Sequence, residues 1–205
     1  MALIYKEGDP VGNLLLYLNS KLNLSPDFQP SILPMLESRR LKEKWSLAKP
    51  GDTLRTAVWL DDAYGCSYKM VYDKNDLPVK QIIDFFPPKS IMLDATGFFN
   101  NEPTDCHFEI VKNANVVPFE HANFEQLKLT APEAEALANR ILAEMLNLRT
   151  SKAELKDLQG LARYNRFKEI YGNGIIQAYP QKHIALFLGF TPEYFSSLVN
   201  SEDNS

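Results

Sequence analysis

The sequence predicts an α+β fold: a β-rich domain flanked by helices, then a long helix, then a helical region that ends in a helix-turn-helix. From Lys49 to Glu120, β-branched and aromatic residues alternate with polar ones, and turn-forming residues cut them into short runs. Beyond this region, apolar residues recur at helical spacing instead. The order of elements divides the chain into residues 1–129, 130–150 and 151–205.

Composition places the chain among ordinary globular proteins. Its 205 residues are 45% hydrophobic and 23% charged, and the formal net charge of −4 argues against a protein that coats nucleic acid non-specifically. No apolar run approaches the roughly 20 residues that a membrane span needs. The opening MALIYKEGDP lacks a basic segment followed by an apolar core, so we expect a cytoplasmic protein without a membrane partner.

The cysteine and histidine content predicts no metal, no cofactor and no enzymatic activity. Cys66 and Cys106 are forty residues apart without a CxxC pair, which suits neither a zinc site nor a disulfide framework. His107, His121 and His183 lie in unrelated segments, and no GxSxG, HExxH or phosphate-loop pattern occurs.

The N-terminal two thirds carry helical and then extended patterns. Apolar spacing predicts helices between about residues 11 and 46, with a break at SPDFQP. HFEIV and NVVPF predict a strand pair joined by KNAN as a hairpin. Five residues are expected on inward strand faces: Trp59, Met70, Ile82, Phe85 and Ile110.

Residues 130–150 predict a long helix. Thr130 and Glu133 have the spacing of a capping box, which predicts that the helix begins at Thr130. A narrow apolar stripe near heptad spacing follows, consisting of Leu137, Ile141, Met145 and Leu148. Such a stripe favours pairing with a second copy of the chain, and packing against its own domain is the alternative.

The segment from Gln181 to Asn200 predicts a helix-turn-helix. Ile184 and Leu188 lie four apart on a first helix, and Gly189 can adopt the left-handed conformation of a tight turn. Thr191 then suits the N-cap of a second helix. Two apolar residues three apart are expected to face back onto the first helix, Phe195 and Leu198. An ordinary helical hairpin remains the alternative, because such spacing occurs in any packed helix pair.

Charge weakens the DNA-binding interpretation of this motif. The expected outer face of the second helix carries no lysine or arginine, although phosphate contacts by these residues normally supply most of the affinity for DNA. Residues 151–205 contain six cationic and six acidic residues, so their formal charge is zero, and two of the acids, Glu202 and Asp203, lie in the tail. We therefore expect any binding of DNA to be weak.

The element order and the stretch YPQKHIALFLGFTPEYFSSL resemble the bacterial Crp/Fnr family of ligand-responsive transcription regulators. KPGDTL is similar to the turn that opens the family's β-roll. The resemblance implies a double-stranded, jelly-roll-like β-roll as sensor domain, a winged-helix domain and a homodimer joined along the long helix. It also implies phosphate contacts by Gln181, Lys182 and His183. On the second helix of the motif, the side chains that would face the DNA bases are those of Thr191, Glu193, Tyr194, Ser196 and Ser197.

The cyclic-nucleotide pocket of that family is degenerate in this chain. Where the family uses a Gly-Glu pair and then an Arg-Ser or Arg-Thr pair, the sequence offers Asp94-Ala95 and Asp105-Cys106. An acid at the position of the arginine repels a phosphate, and no arginine lies between Arg55 and Arg140. We expect no binding of cyclic AMP or cyclic GMP and an effector that is another small molecule or a protein.

Two functions therefore compete. The first is a dimeric transcription regulator that binds DNA through the helix-turn-helix. The second is a binding module that keeps the fold without binding DNA, and the neutral C-terminal region favours it.

Overall fold

The computed structural model describes residues 8–73 and 75–202, and it confirms the predicted α+β fold. Eight strands form the β-domain: β1 Arg39–Leu41, β2 Trp45–Ala48, β3 Thr56–Leu60, β4 Gly65–Tyr72, β5 Pro78–Phe86, β6 Ser90–Met92, β7 His107–Ile110 and β8 Ala114–Glu120. Sheet A has the order β1-β8-β3-β6, and sheet B has the order β2-β7-β4-β5. Every strand pair is antiparallel, and the chain passes repeatedly between the two sheets, which makes a double-stranded roll.

The predicted hairpin of HFEIV and NVVPF is wrong. β7 pairs with β2 and β4 in sheet B, whereas β8 pairs with β1 and β3 in sheet A. The turn between them includes Asn113 in the left-handed region, with φ +59°, and carries the chain across the roll. Turn residues therefore marked a reversal without specifying which strands it joins.

The N-terminal helices end earlier than predicted. α1 spans Pro10–Lys21, with the Asp9 carboxylate accepting a hydrogen bond from the Gly12 amide at 3.3 Å. α2 spans Phe28–Ile32 and continues as a short 3₁₀ turn to Met35. The last part of the predicted helical region, up to residue 46, instead contains β1 and the start of β2, which belong to the two sheets. Their short apolar runs fit either structure.

Four of the five expected inward residues are buried, and Met70 is the exception at 47% exposed. β7 contacts β4 only as far as Tyr68, so beyond that residue β4 has β5 as its partner on one side and projects from the roll. Trp59 is buried, but on the outer face of sheet A, where it packs in one cluster with the N-terminal helices and the start of the long helix.

Three helices follow within and after the roll: α3 Ala95–Asn100, α4 His121–Thr130 and α5 Ala134–Glu154. The predicted capping box is wrong. Thr130 is the last residue of α4, and its hydroxyl donates to the Leu127 carbonyl at 3.2 Å. The Glu133 carboxylate instead accepts a hydrogen bond from the Ser25 amide at 2.9 Å, so the long helix begins at Ala134.

The C-terminal region consists of α6 Gly160–Tyr171, α7 Ile175–Ala178, α8 Gln181–Phe187 and α9 Pro192–Glu202. Up to residue 202, no described strand follows β8, so this region shows no β-hairpin wing beside α8 and α9. None of the helices that the structure describes is both long and apolar enough to cross a membrane.

A bulge in β5 attaches the C-terminal helices to the roll. Ser67 pairs with Asp84 but Tyr68 pairs with Ile82, so Ile83 is an extra residue in β5. In a regular strand Ile82 and Phe85 would point to opposite faces, and the extra residue turns both toward the helices. Both are buried in one core with α6 to α9, whereas Phe86 faces the interior of the roll.

Candidate nucleic-acid interface and effector cleft

α8 and α9 form the turn that the sequence predicted. Gly189 has φ +72°, which an L side chain rarely adopts, and the Phe190 amide donates to the Ala185 carbonyl at 2.8 Å. The Thr191 hydroxyl accepts a hydrogen bond from the Tyr194 amide at 3.2 Å and caps α9. Phe195 is fully buried as expected.

The inward register of α9 differs slightly from the prediction. Val199, four residues after Phe195, is the second buried apolar residue of α9 at 9% exposed, whereas Leu198 is only partly buried. Both spacings lie on one face of a helix, so the sequence alone did not distinguish them.

The outer face of α9 is polar and carries no positive charge. Glu193, Tyr194 and Ser197 are exposed, and Ser196 is partly buried. The Tyr194 ring packs against the Phe190 ring at 5.3 Å between centroids. On α8, Gln181 and Lys182 are exposed. Thr191, which precedes α9, is also exposed, and its hydroxyl already caps that helix.

His183 does not share this outer face. It is half-buried on α8, which packs against β5, and the charges of Lys80 and Glu109 on sheet B act on its ring. Burial lowers the pKa of His183, Lys182 and Lys80 lower it further, and Glu109 partly opposes them. A neutral imidazole that faces the roll is poorly suited to the phosphate contact expected of it.

Arg163 holds the helix-turn-helix together, a role that the sequence did not reveal. Its guanidinium donates to the carbonyls of Leu158 at 2.7 Å, Leu188 at 2.6 Å and Lys156 at 3.0 Å. It also lies 5.3 Å from the centre of the Phe190 ring. A planar donor with several N–H groups can satisfy three carbonyls at once, including one left open at the end of α8.

Most other cations of the C-terminal region are engaged as well. Lys152 binds Asp84, Arg166 contacts Glu154 and Glu169, and Lys168 lies over the Tyr164 ring at 4.6 Å. Among the cations in the described part of residues 151–202, Lys156 and Lys182 are the two whose side chains show no ion pair, hydrogen bond or ring contact. The acidic tail residue Asp203 lies outside the described residues.

A large cleft separates the roll from the long helix. Its volume is about 820 Å³, and one wall contains all four residues of the expected degenerate pocket, Asp94, Ala95, Asp105 and Cys106. Met145, Leu148 and Arg149 of α5 line the opposite wall. Phe187 and Leu188, at the end of α8, line the same cleft. The wall of the roll and the helix-turn-helix therefore border one space.

The roll wall of the cleft is acidic. A hydrogen bond from Lys69 to Asp105 holds the pKa of that carboxyl below its usual range, and a second one from the Cys106 thiol contributes. Burial, together with the adjacent Asp105, raises the pKa of Cys106 to about 11, so its thiol stays protonated at neutral pH. Asp94 accepts a hydrogen bond from the Thr96 hydroxyl at 3.0 Å and begins α3.

The cations at the cleft belong to the helices rather than to the roll. They lie outside the segment that resembles the family's nucleotide pocket, so the sequence of that segment does not reveal them. Arg149, Lys152, Lys156 and Arg163 border it, and Arg163 and Lys152 already have partners. A negatively charged ligand would therefore meet acids on the roll and cations on the helices. This is the opposite of the family's nucleotide pocket, in which the roll supplies the positive charge that binds the phosphate.

An aromatic junction joins the roll to the helix-turn-helix. Phe85 is fully buried, and its ring lies 4.8 Å from Tyr179, 5.1 Å from Phe187, 5.7 Å from Tyr171 and 6.0 Å from Phe167. These four residues come from α6, α8 and the segment after α7. The interface is thus a continuous apolar core rather than a loose contact.

A polar contact reinforces the junction beside Phe85. The Asp84 carboxylate accepts hydrogen bonds from Lys152 Nζ at 2.6 Å and from the Tyr171 hydroxyl at 3.0 Å. Burial raises the pKa of Tyr171, and the negative charge of Asp84 raises it further, so this hydroxyl remains a donor. One strand end therefore contacts α5 and α6 together.

The first half of the expected dimerisation stripe packs against its own chain. Leu137 is 5% exposed, and Ile141 packs against the same cluster beneath the N-terminal helices. Met145 and Leu148 line the cleft. Leu137 and Ile141 therefore pack within the chain, whereas Leu148 is 38% exposed, and the place of the stripe in a dimer stays a prediction.

The face of α5 that points away from the chain carries other residues at heptad-like spacing: Ala136, Asn139, Ala143, Leu146 and Thr150. Leu146 is the largest of them and is 60% exposed. In the described part of the chain, no three His, Cys, Asp or Glu side chains group as a metal site.

Comparisons with known proteins find similarity in structure but not in sequence. No protein-family model matches the chain, and no curated protein matches it. The c-di-GMP-responsive global regulator CLP of Xanthomonas campestris has a TM-score of 0.58 and 13% identity, and the match covers 88% of this chain and 92% of CLP. FixK2 of Bradyrhizobium japonicum has a TM-score of 0.58, 14% identity and coverages of 82% and 84%.

A cyclic nucleotide-binding domain containing protein of Listeria monocytogenes EGD-e is similar to the same extent, with a TM-score of 0.58, 13% identity and coverages of 94% and 90%. The matches extend over both the roll and the C-terminal helices. At these identities they establish architecture rather than activity. The chain therefore has the fold of the Crp/Fnr regulators, as its sequence motifs predicted.

Proposed function

We propose that this protein is a cytoplasmic transcription regulator of the Crp/Fnr kind, which binds an effector in the 820 Å³ cleft and DNA through α9. The observation that carries the proposal is the composition of the cleft wall. Roll residues such as Asp94 and Cys106 share the cleft with Phe187 and Leu188 of the helix-turn-helix. An occupant that contacts both sides would change the relative free energies of alternative domain positions, which is how a ligand controls a DNA-binding domain.

The effector proposed for this cleft is not cyclic AMP or cyclic GMP. Asp105 stands on the roll wall, ion-paired to Lys69, and the unpaired cation Arg149 lies on α5 instead. A cyclic phosphate placed as in the family would meet Asp105 without a cationic partner of its own. No titration with either nucleotide should therefore give micromolar binding.

DNA contact is proposed for the exposed ends of α8 and α9. Gln181 and Lys182 would contact phosphates, and Glu193, Tyr194 and Ser197 would face base edges, with Glu193 able to accept from a cytosine amino group. Thr191 and Ser196 border this surface, and His183 lies behind it. With so few available cations, the affinity for DNA should be low. In a plot of the logarithm of the binding constant against the logarithm of the salt concentration, each neutralised phosphate should contribute a slope of about −0.9, so the total slope should be shallow.

The second candidate is a ligand- or protein-binding module that has lost DNA binding. One observation favours it: Arg163, Arg166, Lys152 and Lys168 are committed to contacts inside the chain. Cations that hold the fold together contribute little to attraction of a polyanion.

A homodimer along α5 is part of the regulator proposal. Its seam would be the outward face that contains Ala143 and Leu146 rather than the predicted stripe. Small residues beside one leucine allow two helices to approach closely. Leu146→Glu should then give a monomer in light scattering, whereas Asn147→Glu, one residue away on the helix, serves as the matched charge control.

A gain-of-charge experiment distinguishes the two functions. Ser197→Arg adds a cation to the exposed face of α9, and Gln177→Arg adds the same charge at an exposed position of α7 outside the helix-turn-helix. Gel shifts at low salt with DNA from the region upstream of the protein's own gene compare both variants with the unchanged protein. If α9 reads DNA, Ser197→Arg should tighten retention by about tenfold, the effect of about 1.4 kcal/mol, and Gln177→Arg should change it little.

Equal effects of the two arginines would show non-specific attraction and would contradict the regulator proposal. No retention of any of the three proteins at any salt, together with a monomer in light scattering, would leave the binding module. Sequence-specific retention that Lys182→Glu weakens would support the regulator.

A further inference from the structure

A second cavity lies outside the roll, beneath the N-terminal helices. Its volume is about 90 Å³, and it lies between α1, α2, the outer face of sheet A, α3, α4 and the start of α5, with one side open towards the surface. All of its lining residues are apolar; Trp59, Phe98 and Leu137 are among the buried ones. It is separate from the effector cleft, although Ile91 and Leu93 line both.

The chemistry of the lining restricts what can occupy this cavity. Water in such a space would find no hydrogen-bonding side chain, and an ion would lose its hydration without compensation. An apolar cavity of about 150 Å³ is known to stay dry and to bind benzene or xenon. A cavity of 90 Å³ therefore suits an uncharged apolar molecule smaller than benzene.

The cavity also has a route to the surface. Phe99, Phe124 and Ile141 line it and keep partial exposure, unlike the deeper residues Phe28 and Trp59. The Phe99 and Phe124 rings meet edge to face, with centroids 5.6 Å apart. Rotation of such partly exposed side chains opens apolar cavities on short timescales.

We propose that this cavity is a binding site for a small, uncharged apolar molecule, such as a dissolved gas or a short hydrocarbon. The occupant would contact Leu137, Ala138 and Ile141, which belong to the helix leading to the helix-turn-helix. It would also contact Ile91 and Leu93, whose other sides face the effector cleft. Filling the cavity stabilises the packing of α5 on the roll. The inference rests on the cavity alone and not on DNA binding.

Xenon is the probe for this site, and Trp59 is the reporter. Xenon is apolar and heavy enough to quench tryptophan emission on contact. The chain has two tryptophans, so Trp45→Phe leaves Trp59 as the single emitter. Trp59 is 3% exposed, so iodide, with the same number of electrons and a negative charge, should not reach it.

The expected result is quenching by xenon that saturates with pressure, and little quenching by iodide. Ala138→Leu adds three carbon atoms toward the cavity and should weaken the saturable quenching at least tenfold. Ala122→Leu makes the same change at an exposed position of α4 that does not line the cavity and should leave the quenching unaltered. Quenching that rises linearly with pressure, or equal responses of the two leucine variants, would overturn the proposal.

A crystal of the unchanged protein under xenon pressure supplies an independent test, which holds even if Ala138→Leu does not fold. Xenon density between Trp59 and Leu137 is the expected result. Xenon bound only elsewhere, or nowhere, would overturn the proposal. Neither experiment involves DNA, so this proposal and the regulator proposal can fail separately.

Discussion

Replacing Phe85 by alanine tests whether the roll and the helix-turn-helix form one cooperative unit. Phe85 is fully buried, and four aromatic rings from the C-terminal helices surround it within 6.0 Å. Removing a buried phenylalanine costs about 3–5 kcal/mol of unfolding free energy. Each aromatic pair contributes roughly 0.5–1.5 kcal/mol beyond the buried area, so we expect the upper half of that range.

The expected loss is a large share of the roughly 5–15 kcal/mol that stabilises a domain. Urea denaturation measures it, and Ile83→Ala is the matched control on the same strand. Ile83 is 46% exposed, so its truncation should cost about 1 kcal/mol or less. Calorimetry adds a second readout. The unchanged protein should unfold in one transition, whereas Phe85→Ala should separate a less stable C-terminal transition from that of the roll.

A loss below about 1 kcal/mol for Phe85→Ala would show that Phe85 does not join the roll to the C-terminal helices in one core. An equal loss for Ile83→Ala would show the same, because the bulge turns Phe85 but not Ile83 into the helical core.

Three further predictions concern single side chains. Because burial lowers the pKa of His183, the unfolded chain binds a proton more readily, so stability should fall as pH drops below about 6.5; His183→Gln should flatten this dependence in pH-resolved urea titrations. Burial also lowers the pKa of His121, which titrates in the same pH range, so His121 is replaced both in the reference protein and in the His183→Gln variant. An unchanged slope of stability against pH on replacing His183 would contradict the assignment. An ammonium cannot bond three carbonyls in the fork geometry of a guanidinium, so Arg163→Lys should cost about 1.5–3 kcal/mol of unfolding free energy. Arg166→Lys is the control: its partly exposed guanidinium contacts the carboxylates of Glu154 and Glu169, so the change should cost under about 0.5 kcal/mol. Equal thermal shifts of the two variants would contradict this prediction. Asp105→Arg alone should not restore calorimetric binding of cyclic AMP, because the Gly-Glu pair is also missing, and micromolar binding would show the pocket alignment to be wrong.

Local chemistry made the helix-turn-helix predictable. Gly189 and Thr191 act within a few residues of themselves, through a left-handed turn and an N-cap, so their roles are visible in sequence. The same reasoning failed at Thr130 and Glu133, because the Glu133 carboxylate has a partner more than a hundred residues away, at Ser25. A capping pattern predicts a helix start only when no distant group competes for it.

Contacts between distant segments were the part that the sequence could not supply. Tertiary packing determines the bulge at Ile83 and the contacts of Phe85 with four aromatic rings. It also determines that Arg163 donates to three carbonyls. The apolar stripe from Leu137 showed that one face of α5 is buried, but its spacing is equally suitable for a second copy and for the chain's own roll. The number of cations could be counted from the sequence, but the sequence did not show which of them have partners inside the chain and which are free to contact DNA.

Selection of DNA from a randomised pool tests whether the protein is a DNA-binding regulator. The purified protein is incubated with the pool at low salt, and bound sequences are recovered over several rounds, with Ser197→Arg as a parallel sample. If α9 reads DNA in a dimer, we expect enrichment of a two-fold symmetric sequence with half-sites about 34 Å apart, bound with a shallow dependence on salt. Recovery of unrelated sequences in every round, with affinity that does not distinguish them from the starting pool, would contradict it.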